Sequence, residues 1–224
     1  MLNIIFQNEN FVVCDKPAAV LSVPARERND VRPCLGLQLQ KELRSQIFPV
    51  HRLDFEVSGL IIFARTVLSH KISQRWFEKK EVQKKYLATA NQQDFSHWPV
   101  GINTDRATIA ANPGQQYIWK TQILRGKKRS FESNQGDWAE TKATIYEVKD
   151  FKTQWQLYPL TGRPHQLRLE MSRRGFPIDG DELYGSKVKL NRPGIALRAV
   201  EIDFLKIQDR LGLPQKLYTQ DAET

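Results

Sequence analysis

The run Pro49-Val50-His51-Arg52-Leu53-Asp54-Phe55-Glu56-Val57-Ser58-Gly59 places an imidazole, a guanidinium and two carboxylates between a helical pattern and an apolar stretch. Loops carried by rigid elements are where binding and catalytic groups concentrate, and a carboxylate such as Asp54 can act as a nucleophile. A salt-bridged turn would explain the same residues. A second run, Leu160-Thr161-Gly162-Arg163-Pro164-His165-Gln166-Leu167-Arg168, opens a helical pattern. Thr161 and Gly162 suit a tight turn at a helix N-terminus, whose free N–H groups attract anions, and Arg163 and Arg168 add planar forks for phosphate or carboxylate. An ordinary capped helix with solvated arginines accounts for it equally. In Lys84-Lys85-Tyr86 a strand-borne tyrosine could stack on a base while the lysines hold phosphates; a core tyrosine is the plainer explanation. The run from Gly175 to Gly185 carries Asp179, Asp181 and Glu182, which could bind Mg²⁺, although its Gly and Pro content fits a tight structural loop better.

The elements that must position these groups follow from periodicity. Short apolar runs at Ile4–Phe6 and Phe11–Val13 around a polar turn predict two paired strands, stopped by Lys16-Pro17. Residues 18–33 form an ordered loop. Leu35, Leu39 and Leu43 predict a helix ending near Phe48-Pro49. Leu60–Ala64 is a buried strand, after which Thr66 caps a helix whose face carries Leu68, Ile72 and Trp76. Gln83 to Ala90 reads as a strand. Residues 91–136, polar and rich in Gly, Asn and Gln, read as surface hairpins with an RNA-facing loop at Arg125-Gly126-Lys127-Lys128-Arg129. Thr141–Val148 and Thr153–Leu160 alternate as paired strands; Gln166–Arg173 reads as a helix stopped at Gly175; the segments 195–197 and 200–204 give a last strand or pair. This mixture predicts an α+β fold with a largely antiparallel sheet, one domain over 1–208 and a peripheral tail over 209–224.

Bulk properties narrow the partner. Lys and Arg outnumber Asp and Glu by 34 to 25, a formal charge of +9, which favours a polyanion and above all nucleic acid. Cys14 and Cys34 form no framework and no CxxC pair, and the four histidines belong to no HExxH or Cys/His cluster, so neither disulfides nor a structural metal is expected. The first residues lack a basic n-region and a long apolar stretch, so no signal peptide, no membrane span and a cytoplasmic location are expected.

Taken in this order, the runs resemble the RluA family of RNA pseudouridine synthases. The resemblance begins at Phe11-Val12-Val13-Cys14-Asp15-Lys16-Pro17 and passes through His51-Arg52-Leu53-Asp54 with Ser58-Gly59-Leu60, then Lys84-Lys85-Tyr86-Leu87-Ala88. It closes with Gly162–Arg168, Pro177–Asp181 and Tyr184-Gly185, covering about residues 4 to 205. It implies a pseudouridine synthase catalytic fold of mixed, mainly antiparallel sheet with flanking helices and a central cleft. It further implies Asp54 as catalytic residue, Tyr86 against the target base, and Arg168 as partner of the aspartate. His51, Arg52, Lys84, Lys85, Arg163 and His165 become candidates for RNA contact, and Lys127, Lys128 and Arg129 join them from the basic cluster. The implied reaction needs no metal or organic cofactor, and the implied partner is ribosomal or transfer RNA, met by a monomer without an obligate protein partner. Ala18-Ala19 and Arg198-Ala199 depart from the family's usual residues but touch none of the catalytic candidates. The chain starts almost directly at its first strand, so an N-terminal domain of the S4 type is not expected, and recognition falls to the catalytic domain. Two alternatives remain: a non-catalytic RNA-binding or chaperone module on the same fold, and a hydrolase using Asp54 with His51 or His165.

Overall fold

The computed structural model describes residues 2–27, 29–93, 111–204 and 206–219. The chain divides into two compact units, one built from residues 1–84 and 198–224, the other from residues 85–197.

In the first unit β1 (Ile4–Gln7) and β2 (Phe11–Lys16) form the expected antiparallel pair, and β2 runs antiparallel to β4 (Ser58–Ala64). Both β2 and β4 are apolar almost throughout because both their faces are covered. The two-residue strand β3 (Phe48–Pro49) pairs with the end of β4, while β10 (Leu197–Asp203) lies parallel to its start, Arg198 opposite Ser58 and Ala199 opposite Gly59. Helix α1 (Leu35–Leu43) stops short of the expected Phe48-Pro49 because Arg44 turns left-handed at φ 48°. Helix α2 (Val67–Glu78) starts at Thr66 as expected, through a capping box with Ser69, but its buried side is Ser69, Ser73 and Trp76. Leu68 is 67% exposed. Ser69 Oγ also donates to the Asn10 carbonyl at 3.0 Å, and this anchor sets the rotation of the helix. The segment expected as a peripheral tail instead contributes β11 (Lys216–Tyr218), antiparallel to β10, and buries Leu213 and Leu217 in the core with Phe11, Leu60, Trp76 and Phe204.

The second unit is an antiparallel sheet in the order β5 (Gln83–Asn91), β9 (Lys152–Pro159), β8 (Asp137–Lys149), β6 (Gln116–Arg125) and β7 (Ser130–Glu132). Here strands alternate: Thr153, Trp155 and Leu157 face inward from β9 while Gln154, Gln156 and Tyr158 face out. The expectation of surface hairpins across 91–136 is corrected by β6, which pairs with β8 from Gln116 to Ile123 and buries Trp119, Thr121 and Ile123. Residues 94–110 of that stretch lie outside the described residues. Helix α3 (Gln166–Ser172) is buried along its whole length, and Gly175 follows it at φ 87°. Among the described residues no helix is long and apolar enough to cross a membrane.

Candidate active site

The first unit holds the His51-Arg52-Leu53-Asp54 run in the turn between β3 and β4. His51 Nε2 accepts the Ile62 N–H at 3.2 Å, and its ring stacks on Phe77 with centroids 5.3 Å apart. Accepting at Nε2 fixes the proton on Nδ1, and burial, helped by the nearby Lys84 ammonium, pushes the imidazole down to about 3. The ring is neutral at physiological pH and serves as a strand-end acceptor. Lys84 Nζ lies 5.8 Å from the Phe77 ring, and burial lowers its pKa to about 8.

Leu53 is buried, Arg52 is exposed and Asp54 is half-buried. Ser22 Oγ donates to the Leu53 carbonyl at 2.7 Å and accepts the Leu53 N–H at 3.0 Å. Beyond Asp54 the chain turns, the Val57 N–H donating to the Asp54 carbonyl at 3.2 Å. The Phe55 carbonyl accepts from the Ala19 N–H at 2.8 Å and from Lys16 Nζ at 3.5 Å. Lys16 is fully buried, and its ammonium also donates to the carbonyls of Val20 (2.7 Å) and Pro17 (2.9 Å). Burial lowers the Lys16 pKa to about 8, against the pull of the Asp54 and Glu56 carboxylates, which favour its charged form. Two features of this cradle have no signal in the sequence: Ser22 sits in a loop with no motif of its own, and Lys16, at a strand stop within the Phe11–Pro17 run, shows no sign of holding the backbone beyond Asp54. At the far end of the run, a Cβ on Gly59 would stand 2.1 Å from the Ala199 carbonyl oxygen. The departure Arg198-Ala199 is thereby explained in part: Ala199 lies against Gly59, and Arg198 forks onto Asp15, with Nη1 to Oδ1 at 3.0 Å.

The second unit carries the other candidates. Tyr86 is buried on β5, in register with Leu157, and Lys85 beside it is half-buried. Arg168 is buried and forks onto Asp181, Nε to Oδ2 at 2.7 Å and Nη2 to Oδ1 at 2.8 Å, while its guanidinium carbon stands 5.2 Å from the Tyr184 ring centroid. Asp181 therefore serves as a guanidinium partner within the tight loop its Gly and Pro content predicts, a role that its sequence surroundings do not signal. Among the described residues no group of three or more His, Cys, Asp or Glu could hold a metal ion.

The expected anion site before α3 takes another form. Gln166 turns its side chain back, so its carbonyl oxygen accepts from the Thr161 hydroxyl and the Arg163 N–H, and its amide donates to Glu140 and Thr141. His165 adopts a left-handed backbone and lies between Arg125 Nη1, 3.0 Å from Nε2, and the Tyr184 hydroxyl, 3.1 Å from Nδ1. Since arginine can only donate, Nε2 accepts and Nδ1–H donates to Tyr184. Arg163 donates to the Trp138 carbonyl and pairs with Asp137 at 3.1 Å. Lys127 and Lys128 are exposed, and Arg129 half-exposed, in the turn between β6 and β7, closed by the Gly126 N–H on the Arg129 carbonyl. The structure thus gathers His51, Arg52, Asp54 and Lys84 in one unit, and Lys85, Tyr86, Lys127, Lys128, Arg129, Arg163, His165 and Arg168 in the other.

Residues 10–173 match the family model described as RNA pseudouridylate synthase. Among curated proteins, the Dual-specificity RNA pseudouridine synthase RluA of Pasteurella multocida is 31% identical over 208 residues, covering 91% of this chain and 86% of that one. The protein of that name from Escherichia coli is 30% identical, covering 88% of this chain and 84% of its own. Among solved structures, Human RNA Pseudouridylate Synthase Domain Containing 1 superposes with a TM-score of 0.71 at 24% identity, over 99% of this chain and 84% of that chain, and so shares the fold.

Proposed function

The chain belongs to the RNA pseudouridylate synthase family, and from that premise we propose that it isomerises chosen uridines of ribosomal or transfer RNA with Asp54 as catalytic nucleophile. One observation carries the reading: the family match spans residues 10–173 and so includes Asp54, Tyr86 and Arg168 together.

The reaction breaks the bond from N1 of uracil to C1′ of the ribose, turns the base, and joins C5 to C1′. C5 loses its proton and N1 gains one, so the product is an isomer and no co-reactant is consumed. A base inside folded RNA must leave its stack first, and stacking on an aromatic such as Tyr86 can return about 1–3 kcal/mol of that cost. Attack on C1′, attack on C6 and removal of a sugar proton all begin from the same ionised carboxylate at Asp54. Burial works against that charge and a guanidinium works for it, which is the part this reading gives to Arg168. Tyr86 takes the C5 proton in the last step, directly or through water. Arg52, exposed beside the buried Leu53, meets the phosphates or the space left by the flipped base. Lys85, Lys127, Lys128, Arg129 and Arg163 hold the RNA backbone by charge. His51, through Nε2, and His165, through both ring nitrogens, hydrogen-bond to the protein and shape their loops. Cytoplasmic residence, action as a monomer and chemistry without a metal or organic cofactor belong to the same reading.

The experiment is a pseudouridine map of total RNA from cells with and without the gene, by carbodiimide modification and reverse transcription. Complementation by wild type and by Asp54→Asn runs in parallel. The reading expects one or a few sites to vanish in the deletion and only wild type to restore them. Restoration by Asp54→Asn would remove Asp54 from the chemistry.

A further inference from the structure

The backbone on both sides of Asp54 is held by side chains from the 16–22 segment, and the tighter hold is on Leu53. A serine hydroxyl has one proton to give and lone pairs to accept with, and Ser22 uses both on the same residue: 2.7 Å to the Leu53 carbonyl and 3.0 Å from the Leu53 N–H. That reciprocal pair fixes the two peptide planes flanking Leu53, the second of which is the plane entering Asp54. Leu53 itself is buried, so the clamp also fixes which side of the chain turns inward and leaves Arg52 exposed. On the far side, the Ala19 N–H and Lys16 Nζ hold the Phe55 carbonyl, and the turn to Val57 closes the loop. Ser22 is held in its turn: it is 3% exposed, and the neighbouring Leu21 exchanges backbone hydrogen bonds with the segment 33–35 that leads into α1.

We infer that Ser22 is the positioning residue for Asp54, setting the aim of the carboxylate through the backbone of Leu53 without touching RNA. This rests on the reading of Asp54 as the catalytic group. Nucleophilic attack needs the reacting atoms within a fraction of an ångström of their productive separation, so a loosened clamp lowers the rate of the chemical step and leaves RNA binding alone.

The test is tritium release from RNA labelled at C5 of its uridines and extracted from the deletion strain, since isomerisation expels that hydrogen to water. Initial rates against RNA concentration give kcat and KM for wild type, Ser22→Ala, Ser22→Cys and Ser73→Ala. Ser73 is an equally buried hydroxyl on α2, donating to the His70 carbonyl at 3.0 Å, and has no part in the site. For Ser22→Ala we expect kcat to fall on the order of tenfold to a hundredfold with KM within about twofold. Ser22→Cys, with a weak sulfur donor, falls between it and wild type, and Ser73→Ala loses thermal stability but not kcat. If folded Ser22→Ala keeps wild-type kcat, or shows only a raised KM, the inference is wrong. Should Ser22→Ala fail to fold, Ser22→Cys decides on the same criterion. Asp54→Asn is assayed beside them: activity there would overturn the catalytic reading itself, whereas an inactive Asp54→Asn with normal Ser22 variants overturns the clamp alone.

Discussion

At the scale of the residue, the molecule relies on charges and hydrogen-bonding groups that are buried with their partners. Arg168 and Asp181 are both buried, and removing one member of a buried, doubly hydrogen-bonded ion pair is destabilising. Asp181→Asn should therefore destabilise the protein by about 3–5 kcal/mol, read as a drop in denaturation midpoint at unchanged slope. His51 makes a different prediction. Its pKa is about 3 in the folded protein and 6.5 without that environment, so between those values the unfolded chain binds the proton and the native ring does not. By linkage, stability falls as pH drops from 6.5 toward 3 and is fully present above 6.5. Melting curves at pH 7 and pH 5 should show the lower midpoint at pH 5. The gap should narrow in His51→Gln, whose amide carbonyl can still accept the Ile62 N–H.

At the scale of the element, close approach decides more than propensity. Gly59 has φ 112°, and a Cβ there would meet Ala199 backbone atoms at 2.1 and 2.5 Å. Gly59→Ala should cost more than about 4 kcal/mol, the range reserved for backbone strain and forced overlap, and should appear as loss of folded protein on expression. Thr66→Ala removes the capping box of α2 and should cost only about 1 kcal/mol, a shift of about 2–4 °C in Tm with kcat intact. The strands β2, β4, β8 and β9 were legible because their runs are either wholly apolar or strictly alternating. The strand β6 was not, since Gln116, Lys120 and Gln122 on its outward side gave it the composition of a loop, and only Trp119, Thr121 and Ile123 carry its inward pattern. Helix α2 turns Ile72 and Trp76 toward the core as expected, but not Leu68, which looks like a core residue in sequence; a hydrogen bond from Ser69 to Asn10, 59 positions away, puts Ser69 on the inner side instead. Of the candidate site, Asp54, Tyr86 and Arg168 stood out by their motifs. Ser22, Lys16 and Asp181 did not, because Ser22 and Lys16 act on backbone groups and Asp181 on a buried guanidinium, and residue spacing carries no sign of either.

At the scale of the whole molecule, the charge of +9 has its outward expression in turns such as Lys127-Lys128-Arg129. Reversing those three charges should weaken RNA binding, and if each meets one phosphate the slope of log K against log salt should become shallower by about 2–3. An unchanged slope in filter binding across a salt series would move RNA recognition elsewhere. The division of the chain also has a meaning in time. The unit that bears Asp54 is assembled from residues 1–84 and 198–224, while residues 85–197 form the other unit as one uninterrupted stretch. During synthesis the later-made unit therefore has its full sequence first. The Asp54 turn must wait for the last strands, since Ala199 backs Gly59, Arg198 pairs with Asp15, and Leu213 and Leu217 fill the core beneath β4. A ribosome that stalls before residue 198 leaves a nascent chain carrying the His51-Arg52-Leu53-Asp54 run without the strand that backs Gly59 and pairs with Asp15. A chain cut short of residue 198 should therefore leave the unit that bears Asp54 without β10 and β11.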